Sequence, residues 1–498
     1  MSATRRWAAL AVLVGAVLLL AIDSTVLYLA VPSLTADLQA SATQVLWIGD
    51  IYSLAIAGLL VTMGNVADRV GRKRLLLMGA TGFGAASVLA AFATSPEMLI
   101  VARLLLGIAG ATLMPSTLSL IRQVFPDPTE RTRAIAIWSA AAASGLAIGP
   151  LVGGVLLEHF WWGSVFLINV PVVAILVIAG ARLLPESRNP HSGRLDLISS
   201  ALSMAAIIPF VYAIKKTFAG DINALLLTAV ALSAAAAVAF VRRQRTAPAP
   251  MVDVRLFKVP EFAGAVAVTF ITVFALSGVL FFFSQYLQLA RGMSPLEAGI
   301  AQLPIAVASM AVALVVAAAL RAWGRGPAIA GALALAATGL VLLALVEDAQ
   351  SYWWVALALI PVGLGIGMAE TLSVDAVVSA VEPDKAGAAS SISETAYELG
   401  VALGIAVLGS VSTLAYRLYL DVPDGTPAHV QAGVEDSLAS ASALLEPNSA
   451  LLEHAQHAFT QGMQVTTLVS ATVLLVGAAV AWRKIPARRT AVLVEHGG

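Results

Sequence analysis

Apolar residues fill long stretches of this chain, and polar residues cluster in the short connections between them. A helix needs about 20 apolar residues to cross a bilayer, and fourteen stretches qualify. We predict membrane-spanning helices over 8–31, 46–67, 74–94, 98–121, 134–157, 163–184, 195–215, 222–241, 261–289, 296–320, 327–346, 352–380, 387–416 and 462–482. The pattern therefore predicts an all-α polytopic membrane protein.

The basic residues of the connections set the expected orientation. If both termini lie on one side of the membrane, that side receives 24 of the 29 Lys and Arg residues. Connections rich in Lys and Arg stay in the cytoplasm. We therefore expect an even number of spans with both termini cytoplasmic.

Composition narrows the function classes. The chain is 59% hydrophobic and 12% charged, whereas a soluble domain carries about 25% charged residues. A net charge of zero gives no reason to expect a nucleic-acid partner, and the absence of cysteine excludes disulfides and thiolate metal sites. The sequence has no phosphate-binding loop and no metal-ligand spacing of His. We therefore expect no metal and no cofactor, with a proton gradient as the energy source.

An internal repeat indicates two related halves. Glycines at 145, 149 and 154 recur at 400, 404 and 409, an offset of 255 residues. The predicted domains are a six-helix bundle over 7–185, two inserted helices over 195–242 and a second six-helix bundle over 260–484. Repeats of this kind place the substrate site at the interface of the halves, near the bilayer midplane.

The segment 421–461, between the last two predicted spans, is an acidic extracellular hairpin. It holds six acids and no Lys or Arg. Its apolar spacing predicts two short amphipathic helices divided at Pro447. The hairpin is either a solvated cap or an anionic lid that gathers or releases cations at the outer mouth.

Several motifs resemble the major facilitator superfamily, in particular its fourteen-helix drug:proton antiporters. They are the Asp23 to Pro32 stretch, the Gly64 to Arg74 loop, Arg103 to Gly107, Gly145 to Gly154, Trp47 to Ser53 and Tyr397 to Gly400. The match runs from about residue 7 to 485 and is most similar to the branch that exports multiple drugs, dyes and quaternary ammonium compounds. The resemblance implies a major facilitator fold of two six-helix bundles plus two inserted central helices, 14 transmembrane helices in all, in a bacterial cytoplasmic (inner) membrane.

Seven ionisable residues lie inside the predicted spans, where a charge costs roughly 2.5–3.5 kcal/mol or more unless it is paired or wet. They are Asp23, Asp50, Arg103, Glu370, Asp375, Glu394 and Glu398. Six acids and one arginine make an anionic interior, which suits lipophilic cations, exchangeable protons, or both. A carboxylate that exchanges a proton for a cation couples the two flows, because the two occupants exclude each other.

The predicted proton-coupling residues are Asp23, Arg103, Glu398 and Glu394. Glu394 and Glu398 share one helix face, where like charges disfavour joint ionisation. The resemblance implies proton roles for Asp23 and Arg103. The alternative for each acid is a structural hydrogen bond, and for Arg103 a structural ion pair. For Glu370 and Asp375 the sequence does not decide between the cavity and the cytoplasmic end.

A wall of aromatic and polarizable side chains suits flat cations. The predicted substrate-binding residues are Glu394, Asp50, Tyr397, Trp47, Tyr52, Trp138, Met114, Phe281 and Ser309. Each aromatic residue or Met can instead contact lipid or the core, and Asp50 can be an acid favoured by the start of its helix. Ser309 stands where some relatives carry an acid, so we expect weaker handling of divalent cations.

Two further motifs concern conformational change. Gly64, Asp68, Arg69, Gly71 and Arg72 form a predicted conformational latch that is made and broken as the bundles rock, or else only a topology determinant. The second copy of this loop lacks the acid, so we expect a one-sided latch. One run of small residues allows close helix packing and resembles an antiporter signature. It contains Gly145, Gly149, Pro150, Gly153 and Gly154.

Together these observations predict a transporter, not an enzyme. We expect a proton-coupled antiporter that exports lipophilic cationic drugs, dyes and quaternary ammonium compounds by alternating access. The alternative is an exporter of one physiological lipid or metabolite with incidental drug transport. The expected partners are small lipophilic cations and membrane lipids, with the protein acting as a monomer.

Overall fold

The computed structural model describes residues 2–187, 196–218, 220, 223–247, 250, 252–382, 386–447 and 449–487. These ranges hold helices and no strand. Thirteen helices in them are long and apolar enough to cross a membrane, and the count is fourteen when the bent fifth helix is one span. The prediction of a multi-pass helical membrane protein is confirmed.

The helices are numbered in chain order. The first half contains α1 Ala3–Leu38, α2 Ala42–Val70, α3 Arg72–Ala91, α4 Pro96–Val124, α5 Pro128–His159 and α6 Ser164–Leu183. The inserted pair is α7 Leu197–Phe218 and α8 Ala224–Thr246. The second half contains α9 Pro260–Ala290, the broken α10 (Pro295–Ala301, Leu303–Ala311 and Val316–Trp323), α11 Arg325–Val346, α12 Tyr352–Ser379, α13 Ala386–Tyr419, the short α14 Ala428–Asp436 and α15 Leu438–Leu444, and the last span α16 Ala450–Lys484.

Small residues let α1 and α5 pack closely. A side chain added at Gly145, Gly149 or Gly153 would collide with a residue of α1. At Gly149 the obstacle is the Thr25 hydroxyl, whose oxygen also lies 3.5 Å from the Gly145 carbonyl. The predicted packing role of these glycines is confirmed, and their role in antiport stays a prediction.

Two spans depart from a straight helix. α5 bends by 43° between Gly145 and Ala147, where Pro150 has no N–H to donate to the carbonyl four residues earlier. α10 is broken at Gln302 and again over Val312–Leu314. The predicted span over 296–320 is therefore present but is not one continuous helix, since Pro304 at the start of the second piece interrupts the hydrogen-bond ladder.

The two halves meet at one end of the spans. By the predicted orientation we call this the outer side, opposite the Ala3 and Lys484 helix ends. Gly409 of α13 packs against Leu46 of α2, and Gly49 packs against Phe281 and Ile405. On the other seam, Gly299 of α10 packs against the Pro150 carbonyl of α5.

The inner part of α5 remains accessible, with Ile137 44% exposed. The outer ends of the two seams are closed by the contacts above. The two halves therefore meet at their outer ends.

The acidic hairpin folds differently from its prediction. Its two short helices, α14 and α15, divide at Ser437, and the last span begins at Ala450. The predicted break at Pro447 is present between α15 and α16, but Ser437 caps α15 and adds an earlier break, and Ser449 caps α16, so that the last span begins before residue 462. The Asp436 carboxylate accepts a 2.8 Å hydrogen bond from the Ala42 amide at the start of α2, which ties the hairpin to the first half.

Candidate transport site

Asp23 lies at the centre of a buried polar cluster in the first half. Its side chain is fully buried and forms a 3.1 Å ion pair with Arg103 of α4, which is 1% exposed. The other carboxylate oxygen accepts a 2.7 Å hydrogen bond from the Asn169 amide of α6. Asn169 also donates to the Ser87 hydroxyl of α3 at 3.2 Å. Four helices thus hold one carboxylate.

The Arg103 guanidinium is fixed on its other faces as well. Its Nε donates to the Ile48 carbonyl of α2 at 3.3 Å, and its carbon lies 4.4 Å from the centre of the Tyr52 ring. The expectation that Arg103 finds an acid is confirmed. Tyr52, predicted to bind substrate, instead packs within this cluster.

Three acids of the second half lie near one another and near this pair. Glu398 of α13 lies within hydrogen-bonding reach of Ser53 of α2 and interacts electrostatically with Arg103 and Glu394. Glu394 in turn interacts with Glu370 of α12. Among the described residues, no basic side chain lies within ion-pair distance of these three acids.

Tyr397 stands among these acids. Its hydroxyl is close enough to interact with Glu370, Glu394 and Glu398, and also with Tyr28 of α1. Glu370 and Glu394 are surrounded by protein, yet part of each residue is accessible. The accessible space beside them is therefore internal.

Asp50 and Trp47 do not line this internal space. The Asp50 carboxylate, fully buried two turns into α2, forms a 2.7 Å ion pair with Lys215 of α7. The Lys215 ammonium also lies 3.6 Å from the centre of the Trp47 ring. Both helices extend past their predicted limits, so Lys215 lies inside α7 and Asp50 is not the helix-start acid that was its alternative interpretation.

The remaining predicted substrate residues are scattered. Phe281 is fully buried against Tyr28 and Gly49 in the closed outer seam. Trp138 of α5 is buried, and its indole N–H has no hydrogen-bond partner. Met114 packs at the edge of the core, and Ser309 packs against Gly367 of α12. Of these four described residues, only Trp138 has a buried side-chain polar atom without a hydrogen-bond partner.

The predicted latch joins elements of the first half. Asp68 and Arg72 form a 2.9 Å ion pair. Gly71 adopts a φ of +114° beside the Glu186 carboxylate, a conformation and a space that only glycine tolerates. Gly64 faces Pro115 of α4, and the Arg69 residue is exposed. The latch role stays a prediction.

The second half has its own cluster at the matching place. Arg325 at the start of α11 pairs with Glu261 of α9 at 2.7 Å and with Asp375 of α12 at 2.6 Å. Asp375 is thus an inner-end acid and lies outside the Glu370 group. The loop before α11 lacks the acid, and neighbouring helices supply acids to Arg325 instead. The one-sided latch stays a prediction.

Sequence reasoning missed three buried polar residues. Asn169 and Lys215 partner the two acids described above. Glu347, just beyond α11, accepts a 3.0 Å hydrogen bond from Thr467 of α16, and its other oxygen has no partner. Burial raises the pKa of Glu347 to about 8, although the Thr467 hydrogen bond opposes the shift. Each of the three falls near a predicted helix end, and only burial distinguishes it from a solvated residue.

Comparison with known proteins places the fold among transporters. The family model described as the Major Facilitator Superfamily matches residues 13–405. The chain is 44% identical over 482 residues to the multidrug efflux pump LfrA of Mycolicibacterium smegmatis, covering 96% of each chain. It is 36% identical over 486 residues to the methyl viologen resistance protein SmvA of Salmonella typhimurium, covering 96% of this chain and 98% of that one.

A solved structure agrees at the level of the fold. It is a bacterial homologue of the human lysosomal transporter Spinster in an inward-facing, unoccupied conformation. The TM-score is 0.66 at 18% identity, with 97% of each chain covered. The similarity extends across both halves and shows the fold.

Proposed function

Because the chain belongs to the Major Facilitator Superfamily, we propose that it is a proton-coupled antiporter that exports lipophilic cationic drugs, dyes and quaternary ammonium compounds. Its relatives are named as a multidrug efflux pump and a methyl viologen resistance protein, and methyl viologen is an organic dication. The protein is a transporter and not an enzyme. The energy source in this proposal is the proton gradient, with no cofactor.

The observation that carries the proposal is the group formed by Glu370, Glu394, Glu398 and Tyr397. Three carboxylates lie together at the interface of the halves, and no basic residue pairs with them among the described residues. An ionised carboxylate without a partner is costly in a low-dielectric interior. Each acid is therefore stable when it holds a proton or when a cation sits beside it, and the aromatic ring supplies a face for that cation.

The Asp23–Arg103 pair supplies the second element of the mechanism. Arg103 is close enough to act on both Asp23 and Glu398. Loss of the Asp23–Arg103 contact would free a positive charge beside the second-half acids, and that charge would disfavour a bound cation. In this proposal protonation of Asp23 releases Arg103 towards Glu398, so that proton entry at the first half expels substrate from the second half.

Ethidium efflux tests the proposal. We expect everted vesicles to accumulate ethidium when a proton gradient is imposed and to lose it on addition of a protonophore. Glu398→Gln is expected to stop accumulation at an unchanged level of folded protein. Glu347→Gln removes a buried carboxylate outside the site and is the matched control. Full efflux by the Glu398→Gln variant would remove that residue from the mechanism and favour an exporter of one physiological compound.

The proposal includes a monomer in the bacterial cytoplasmic membrane with both termini in the cytoplasm. The chain has no cysteine, so single cysteines report orientation without background. We expect an impermeant maleimide to label Asp424→Cys in intact cells. Arg74→Cys should be labelled only after the membrane is opened, and the reverse pattern would overturn the orientation.

A further inference from the structure

Lys215 and its surroundings form a second charged centre, remote from the acids of α12 and α13. Its side chain is 1% exposed, and the Asp50 side chain facing it is fully buried. The ammonium lies 2.7 Å from the carboxylate and 3.6 Å from the centre of the Trp47 ring. A carboxylate and an aromatic face around one ammonium are the groups that bind organic cations.

Two groups hold the Lys215 ammonium. The Asp50 carboxylate lies 2.7 Å from its nitrogen, the distance of a charge-assisted contact, and the Trp47 ring covers another face. The attraction is charge on charge and charge on ring. A free primary ammonium would satisfy the same two partners.

The centre lies in the seam between the two halves. Ile51 and Leu54 of α2, Val211 of α7, and Ala402 and Ala406 of α13 form one apolar cluster there. The inserted helix α7 thus contacts both α2 and α13 beside the closed outer seam. In the other seam, α5 and α10 pack directly on each other.

The Lys215 pair is held by fewer contacts than the other buried ion pair. Asp23 and Arg103 have further partners in Asn169 and the Ile48 carbonyl. For Lys215 and Asp50 the only further charged or aromatic contact among the described residues is the Trp47 ring. An ion pair that lacks supporting hydrogen bonds repays little of its desolvation cost, so its cation can be exchanged.

We propose that Asp50 and Trp47 form a second site for small organic cations, and that the inserted helix fills it with Lys215 while the outer seam is closed. Lys215 is then a tethered competitor. Opening of the seam between α2 and α13 uncovers the site on the exit route, and return of the lysine displaces the departing cation. The inference rests on the proposed export of cations and adds a role for the inserted helix pair.

The site is tested by removing its resident cation. Lys215→Ala removes the aminopropyl end of the side chain, and n-butylammonium, which presents the same primary ammonium on a short alkyl chain, is the probe. We expect purified Lys215→Ala protein to melt at a lower temperature than the wild type and n-butylammonium to restore the loss. Binding should be roughly ten-fold tighter than to the wild type, the gain expected from one cation–π and carboxylate contact.

The double variant Lys215→Ala/Asp50→Asn is the matched control and should not respond to n-butylammonium. If Lys215→Ala fails to fold alone, purification in n-butylammonium should recover it, whereas the double variant should gain nothing. An equal response of the wild type, the single variant and the double variant would overturn the inference. Ethidium export by the wild type is measured separately, so that a failure of the proposed function is distinguished from a failure of this site.

Discussion

The acid of α1 and the acids of α12 and α13 solve the problem of a buried carboxylate in opposite ways. Asp23 is enclosed by Arg103 and Asn169 and has a partner for each oxygen. Glu370 and Glu394 have no basic partner among the described residues, and part of each is accessible. One acid is therefore held in place, whereas the other two are open to an incoming proton or cation.

This difference assigns separate tasks to the two halves. A carboxylate in an ion pair changes its protonation state only when the pair breaks, and breaking this pair affects the contacts of four helices. A carboxylate without a partner responds directly to what occupies the cavity. Duplication of the fold did not duplicate the chemistry, since the second half carries Ser277 and Gly278 where the repeat offset of about 255 residues places the counterpart of Asp23.

The largest expected effect comes from breaking the ion pair between Asp23 and Arg103. Arg103→Met leaves Asp23 charged and unpaired, which should cost about 3–5 kcal/mol in folding free energy and stop efflux. Asp23→Asn/Arg103→Met should regain the melting temperature but not the transport. Recovery of proton-driven efflux in the double variant would contradict a role for the pair in coupling.

Removing one unpaired acid should weaken substrate binding and leave the fold intact. Glu394→Gln is expected to raise the apparent KM for ethidium about ten-fold, equivalent to about 1.4 kcal/mol of binding. A larger loss is expected for methyl viologen, because a dication interacts more strongly with a charged acid. Efflux kinetics in vesicles measure both, and Glu347→Gln should leave both values unchanged. An unaltered KM for both cations would remove Glu394 from the binding site.

The close packing of α1 on α5 keeps Asp23 in register and can be perturbed without touching a charge. Gly149→Ala places a methyl group on the Thr25 hydroxyl and should lower stability by about 1–3 kcal/mol. Gly15→Ala on α1 meets no atom within 4 Å and is the matched control. Thermal melting of the two variants measures the difference, and equal melting temperatures would show that this contact is not tight.

Glu347 is a buried acid outside both groups and gives the smallest effect. Since burial raises its pKa to about 8, the stability associated with its protonated form is fully present below its ordinary value near 4.5 and is lost as pH rises through 8. Asp348 and Arg291 are the charged groups beside it. We expect the melting temperature of the wild type to fall between pH 5 and pH 8.5 by more than that of Glu347→Gln. Parallel curves of melting temperature against pH for the two proteins would contradict the raised pKa of Glu347.

The sequence predicted the parts of the fold that depend on local pattern. Long apolar stretches indicate spans, and Asp23 and Arg103 are recognisable because a charge inside such a stretch requires a partner. Asn169 and Lys215 carry no such signal, since a polar residue near a helix end is ordinary. Their roles depend on which distant helix lies opposite, and hydropathy does not encode that neighbour.

The hairpin and the surroundings of Arg325 were predicted incompletely for related reasons. The apolar spacing around Pro447 favours a break there, but Ser437 and Ser449 provide the caps that set the helix ends. The loop before α11 lacks an acid, and the prediction did not include acids from other helices. Glu261 and Asp375 supply them to Arg325 across the bundle.

Proton release on substrate binding measures directly whether proton and cation compete at the unpaired acids. Ethidium is added to purified protein in a weakly buffered solution near neutral pH, and the change in pH is recorded. We expect proton release by the wild type and less release by Glu394→Gln and Glu398→Gln. Saturable ethidium binding by the wild type with no proton release would contradict it.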